Sequence, residues 1–254
     1  MGPFAKPIIC LLWLSDLPQA NATKMKNKLF SFIFSVVFIV QLYAQSNSDT
    51  LLRDFSKPLI VIVLLIWLYS TTNLKGRFHK RIFTGLLFAL AGDVLLMLEH
   101  NHAGMFIYGL TAFLICHIFY IRAFILDHKS NPDLKNPFFL WLAGALIIYC
   151  IGLFFYLQPF LGGMQFAVLT YAIIITIMAI MAINRYKKVN VFSYQLIIYG
   201  ALFFLLSDSA LALNKFAYKI PQGDVLIIST YMIAQYLIVY GTVERKLIIT
   251  KTEV

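Results

Sequence analysis

Two aspartates stand in stretches that are otherwise oily: Asp93 in LAGDVLLML and Asp208 in LLSDSALALNKF. Desolvating an ionised group in hydrocarbon costs at least ~2.5–3.5 kcal/mol, so a carboxylate at membrane depth reads as functional by default. A pair of carboxylates in one dry site can hold a single proton between them, one acting as acid and the other as base. Around them the sequence offers few other polar groups at comparable depth. These are Lys57 at the mouth of one apolar run, His117 within another, Ser207 beside Asp208, and Tyr231 with Gln235 one helical turn apart. Each has a plainer reading as well. Lys57 can anchor a helix at the interface, and His117, Tyr231 and Gln235 can hydrogen bond between helices without doing chemistry. The run EHNH (Glu99 to His102) has metal-ligating residue types but no further ligands nearby. No metal or cofactor is expected.

The elements that must position these groups are membrane helices. Of the 254 residues, 61% are hydrophobic and 13% charged, against about 45–50% and about 25% in a soluble domain. At ~20 residues per crossing, the apolar runs place eight helices near 29–44, 58–72, 82–98, 104–125, 138–157, 164–184, 193–213 and 225–243. The fold class is therefore an all-α membrane protein, a single eight-helix bundle over 29–243 with a tail at 244–254. The first 28 residues read as an extension, with Met25 as an alternative start, or as a weak signal-like segment. The cysteines Cys10, Cys116 and Cys150 form no CxxC pair, so they suggest packing, not a disulfide or zinc. The excess of 21 Lys+Arg over 11 Asp+Glu does not indicate nucleic acid, because the basic residues gather in the short connections.

Their distribution sets orientation. Four lie in the first 28 residues, four in 73–81, and three each in 122–137, 184–188 and 244–254, leaving Arg53, Lys57, Lys215 and Lys219 for the other side. That asymmetry predicts both termini in the cytoplasm, with the protein in a bacterial-type cell membrane. Asp93 and Asp208 then each fall five residues before a helix end, about 7–8 Å deep in the outer half. Tyr231 enters the same layer from the opposite strand direction, and Lys57 reaches toward it. Gly85 and Ala89 share the Asp93 face, and Gly200 and Ala201 precede Asp208 on its helix, which points both carboxylates into the bundle. The many Phe and Tyr residues are expected at the lipid face and interfaces.

SKPL opening helix two, GDVLL on helix three, AGMFIYGLTAFLICHIFY on helix four, GALFFLLSDSALALNKF on helix seven and YMIAQY on helix eight together resemble the YhhN family, the lysoplasmalogenases. The resemblance covers about residues 29–243. It implies a membrane hydrolase that cleaves the vinyl-ether bond of a lysoplasmalogen drawn from the bilayer, releasing a fatty aldehyde and glycerophosphoethanolamine or glycerophosphocholine. It carries the family's two aspartates over to Asp93 and Asp208, its Lys-Pro pair to Lys57 and Pro58, and its Tyr and Gln to Tyr231 and Gln235. Vinyl-ether hydrolysis begins with protonation at carbon, a step that suits an acid–base pair of carboxyls. A transporter with interior carboxylates is the alternative, although matched broken helices are missing from the pattern. An intramembrane aspartyl protease is a further one, with Leu90 where its motif requires Gly. Oligomeric state is left open.

Overall fold

The computed structural model describes residues 19–47, 49–100, 104–131 and 136–248. Among these lie eight α-helices: α1 Gln19–Ser46, α2 Thr50–Thr72, α3 Arg77–Met97, α4 Met105–Ser130, α5 Phe139–Leu157, α6 Gln165–Ile183, α7 Val191–Ala212 and α8 Gly223–Val243. Six segments among the described residues are long and apolar enough to cross a membrane: Lys24–Ser46, Met105–Ser130, Phe139–Phe160, Gly162–Ile183, Val191–Ala217 and Gly223–Val243. The protein is an integral multi-pass membrane protein. The two remaining helices, α2 and α3, carry Arg53, Asp54 and Lys57, and Arg77, Lys80, Arg81 and Asp93, respectively.

The helices run up and down. One end gathers the last residues of α1, α3 and α7 with the first residues of α2, α4 and α8 around a shared cavity; this is the site end. At the opposite end, the termini end, the Asn27 amide donates to Glu244 at 2.6 Å and its carbonyl accepts from the Trp67 indole at 3.0 Å. Helix α1 therefore begins at Gln19 and not near residue 29, and Asn27 is buried where a loose extension was expected. Residues 1–18 and 249–254 lie outside the described residues. The tail up to Ile248 packs back on the bundle through a bridge between Val189 and Leu247.

Helix α2 also starts earlier than its apolar run. Asp49 caps it by accepting from the Leu52 amide at 3.0 Å, which satisfies one of the four free N–H groups of a helix start. Arg53 and Lys57 thereby sit one turn apart on rigid helix. Pro58 follows, leaving the Asp54 carbonyl without its intrahelical donor.

Close approach between helices rests on small residues. At Gly200 of α7 an added Cβ would meet the Ala234 backbone oxygen of α8 at 3.0 Å and Ile238 Cγ1 at 2.8 Å. At Gly85 of α3 it would meet the Tyr120 ring of α4 at 2.5 Å. Helix α5 packs more loosely, with only Ala143 and Leu157 buried.

A second polar cluster, unforeseen in the sequence, closes the termini end. Asp127 of α4 and Arg185 after α6 are both fully buried and joined at 2.8 Å. Arg245, after α8, donates from Nε to the other Asp127 oxygen at 2.8 Å. Arg185 reaches Ser193 at 3.2 Å, whose hydroxyl donates to the Gly241 carbonyl at 2.6 Å.

Two outcomes test this packing in detergent-solubilised protein. Gly200→Leu should lower stability to denaturant by about 1–3 kcal/mol through overpacking, whereas Gly152→Leu, whose added Cβ has open space, should be neutral. Asp127→Ala should cost about 3–5 kcal/mol because it leaves Arg185 buried without a counter-charge; stability equal to wild type would show that this end opens to water.

Candidate active site

Helix α3 carries Asp93 into the interior, where it is 1% exposed. The Tyr231 hydroxyl of α8 donates to Asp93 Oδ2 at 2.7 Å. From α2, Lys57 Nζ stands 3.7 Å from Oδ1. Both carboxylate oxygens thus face a donor. One turn below Tyr231, Gln235 places its amide nitrogen 3.5 Å from the Tyr231 hydroxyl and accepts from the Tyr120 hydroxyl of α4 at 2.7 Å. Four helices are tied together through one buried carboxylate.

Asp208 of α7 belongs to a separate cluster. Tyr171 of α6 donates to its Oδ2 at 2.6 Å, and His117 Nε2 of α4 lies 3.3 Å from the same oxygen. His117 Nε2 is also 3.0 Å from the Tyr171 hydroxyl. Both partners converge on Oδ2, so among the described residues Oδ1 has no donor. Among the described residues no Lys or Arg pairs with this carboxyl; its partners are Tyr171 and His117. His117 itself is fully buried, and its Nδ1 has no partner among the described residues.

An aromatic layer lies between the two clusters. Phe204 packs edge-on against His117 at 4.6 Å and against Tyr231 at 5.6 Å, and Phe113 meets Tyr231 at 5.7 Å and Phe204 at 6.4 Å. No hydrogen bond joins Asp93 to Asp208. Where the sequence suggests one proton held between two carboxyls, the structure gives each its own phenol, from α8 and from α6.

Of the other residues singled out in the sequence, Lys57, Tyr231, Gln235 and His117 all join these clusters. Ser207 does not contact either carboxylate: its hydroxyl donates to the Ile227 carbonyl at 2.9 Å and ties α7 to α8. Glu99 is paired with Lys215, and Asn101 and His102 lie outside the described residues. Sequence reading passed over Tyr120, Tyr171, Phe113 and Phe204 as interfacial filler. Tyr120 carried a usable signal, since it follows His117 by three positions and shares its face. Tyr171, next to Thr170 in the apolar run VLTYAIII, carried a weaker one.

Two openings reach the clusters from different media. At the site end a cavity of about 410 Å³ has Lys57 on its wall, with Arg53, Asp54, Lys215 and Asp224. The last turn of α7 widens there into a π-helical turn, Leu213–Ala217, which brings Asn214 and Lys215 to the cavity. The second opening is a narrow cleft of about 50 Å³ among α5, α6 and α7. It is lined by residues such as Leu153, Phe154, Val168 and Ile175, with Asp208 and Tyr171 among them. Asp93 therefore lies behind a polar vestibule, and Asp208 beside an apolar one. A carboxyl in either place has a partner able to exchange a proton with it.

The sequence model described as the YhhN family matches residues 52–242. The human protein named lysoplasmalogenase TMEM86A is 30% identical over 86% of this chain and 90% of its own length. The Bos taurus protein of that name is 30% identical over the same shares of both chains. Lysoplasmalogenase TMEM86B of Sus scrofa is 27% identical over 83% of this chain and 84% of its own. No solved structure matches the chain significantly. The match to the family model across α2 to α8, the helices that furnish both carboxylates, establishes that this chain belongs to the YhhN family.

Proposed function

We propose that the protein is a lysoplasmalogenase-type hydrolase that cleaves the vinyl ether of a lysophospholipid within the bilayer, with Asp208 as acid and Asp93 as base. The observation that carries the reading is the unequal dressing of the two carboxyls. Asp93 meets a donor at each oxygen, one of them the Lys57 ammonium, which suits an ionised acceptor. Asp208 keeps Oδ1 free of donors and adjoins the apolar cleft, which suits a carboxyl that carries a proton toward an alkenyl chain. The relatives' names supply the bond type.

The Asp208 proton passes to the alkenyl carbon one bond removed from the ether-bearing carbon, generating an oxocarbenium ion. Water entering from the polar cavity adds to the carbon next to the ether oxygen and gives its proton to Asp93 by way of the Tyr231 hydroxyl. The Tyr231 ring borders the Phe113 and Phe204 layer, and its hydroxyl donates to that carboxylate. The resulting hemiacetal collapses: its hydroxyl gives its proton to Asp208 while protonated Asp93 gives one to the departing glycerol oxygen, so that a fatty aldehyde and a free glycerol hydroxyl form and both carboxyls return to their starting states. Tyr171 and His117 hold the acid's other oxygen, while Tyr231 and Lys57 hold the base.

The membrane setting belongs to the same proposal. Helices α2 and α3 also cross, giving eight spans: their 23 and 21 residues reach about 30 Å. Leu59, Ile62 and Ile66 of α2 and Leu87 of α3 present an apolar outer face. The termini end, rich in Lys and Arg, faces the cytoplasm, and the site end faces outward.

Aldehyde release from a lysoplasmalogen by purified protein is the test. Asp208→Asn and Asp93→Asn should each lower kcat by about 10²–10⁴-fold while the folded fraction is unchanged. Tyr171→Phe should lower it less. Turnover should slow in D₂O, because proton transfer to carbon is the difficult step. Near wild-type turnover in either Asn variant removes the assigned roles.

A further inference from the structure

The cavity at the site end holds more charge than proton transfer needs, and that charge is balanced. Arg53, Lys57, Lys215 and Lys219 line it together with Asp54, Glu99 and Asp224. Lys57 is engaged with Asp93, Arg53 with Asp54 and Lys215 with Glu99, which leaves Lys219 and Asp224 as one cation and one carboxylate without an ion partner among the described residues of the wall. A wall of one sign would suit a purely anionic head group; a mixed wall suits a zwitterion. The volume, about 410 Å³, falls within the roughly 300–1,000 Å³ of small-molecule sites. Arg53, Lys219, Asn214 and Asp224 also border the adjoining recess of about 290 Å³, so the charged wall continues outward from Lys57.

The chemistry of the positive end of such a zwitterion is decided by what lines the wall. A quaternary ammonium has no N–H to donate and is recognised by aromatic faces. Among the described residues the aromatic lining here is one ring, Phe106, and Lys215 Nζ already stands 4.8 Å over it. A primary ammonium instead seeks carboxylate acceptors. Asp224 is exposed at the start of α8, with one oxygen accepting from Asn214 at 3.2 Å, and Asp54 lies across the cavity beside Arg53. Asn214 is held in turn, since its side-chain oxygen accepts the Ile220 amide at 2.9 Å. The acceptor is thus positioned by a fixed loop.

We infer that this cavity is a head-group site selective for a phosphoethanolamine over a phosphocholine, with Asp224 as the main ammonium acceptor and Lys219 toward the phosphate. The inference rests on the proposed function for the identity of the lipid, and its test is independent of turnover. The probes are 1-O-alkyl lysophosphoethanolamine and 1-O-alkyl lysophosphocholine, saturated ethers with no double bond to protonate, titrated onto the purified full-length protein in detergent. The ethanolamine lipid should bind at least about tenfold more tightly, as one charge-assisted hydrogen bond to a carboxylate contributes roughly 1.5–3 kcal/mol. Asp224→Asn should erase most of that ratio by weakening the ethanolamine lipid alone, and Asp224→Glu should restore it. Equal affinities for the two lipids, tighter binding of choline, binding of neither, or a ratio untouched by Asp224→Asn would each overturn the head-group assignment. A preserved ratio with no aldehyde released from the matching vinyl ethers would instead overturn the proposed hydrolysis and leave the site standing.

Discussion

Burial of Asp93 governs how the upper half of the bundle is built. An ion removed from water and left alone costs several kcal/mol, so three helices must converge to supply donors. Lys57 comes from α2, Tyr231 from α8, and the carboxylate from α3. Each donor imposes a requirement on its own helix. Lys57 needs α2 to begin well before its apolar run, which the Asp49 cap allows. Tyr231 must itself be held, and Gln235 and Tyr120 extend the network into α4. Removing any one link leaves a polar atom at a depth where water is scarce.

That network needs helix axes close enough for short side chains to meet, and the small residues provide the approach. Gly85 lies two turns before Asp93 and admits the Tyr120 ring; Gly200 lies about two turns before Asp208 and admits Ile238. Helices carrying bulkier residues at these points would stand farther apart, beyond hydrogen-bond reach. Loosely packed α5 contributes no polar group to either cluster. Its contribution is the wall of the apolar cleft that ends at Asp208.

Much of this was legible in residue type and spacing. Two interior acids follow from Asp93 and Asp208 standing in otherwise apolar helices, and their inward direction from the Gly and Ala neighbours. The eight helices follow from hydrophobic run length, although α1 and α2 start earlier because polar residues such as Asn27 and Arg53 belong to the helices while breaking the runs. What sequence could not give is which helix supplies which donor. Tyr171 and Tyr231 are alike as residues in apolar runs, yet one holds Asp208 and the other Asp93. Pairing of that kind depends on the rotation of neighbouring helices, which one sequence does not encode locally. The separation of the two acids by Phe113 and Phe204 was hidden for the same reason.

Asp127 shows why burial alone does not make a carboxylate reactive. It is as buried as Asp93, and it escaped notice in the sequence because it sits among charged residues at the end of α4. Two guanidiniums cover its two oxygens, Arg185 on one and Arg245 on the other. Arg185 lies 5.4 Å over the Phe124 ring and Arg245 lies 4.1 Å over Phe78. Delocalised, permanently charged partners in that number leave no oxygen to take up or release a proton. With a guanidinium on each oxygen, the cluster serves to hold helices together. At the site end the partners are phenols, an imidazole and one lysine, and one Asp208 oxygen is open beside a cleft. Within one bundle, the same side chain is a fastener when its acceptors are saturated by arginine, and a candidate for chemistry when they are not.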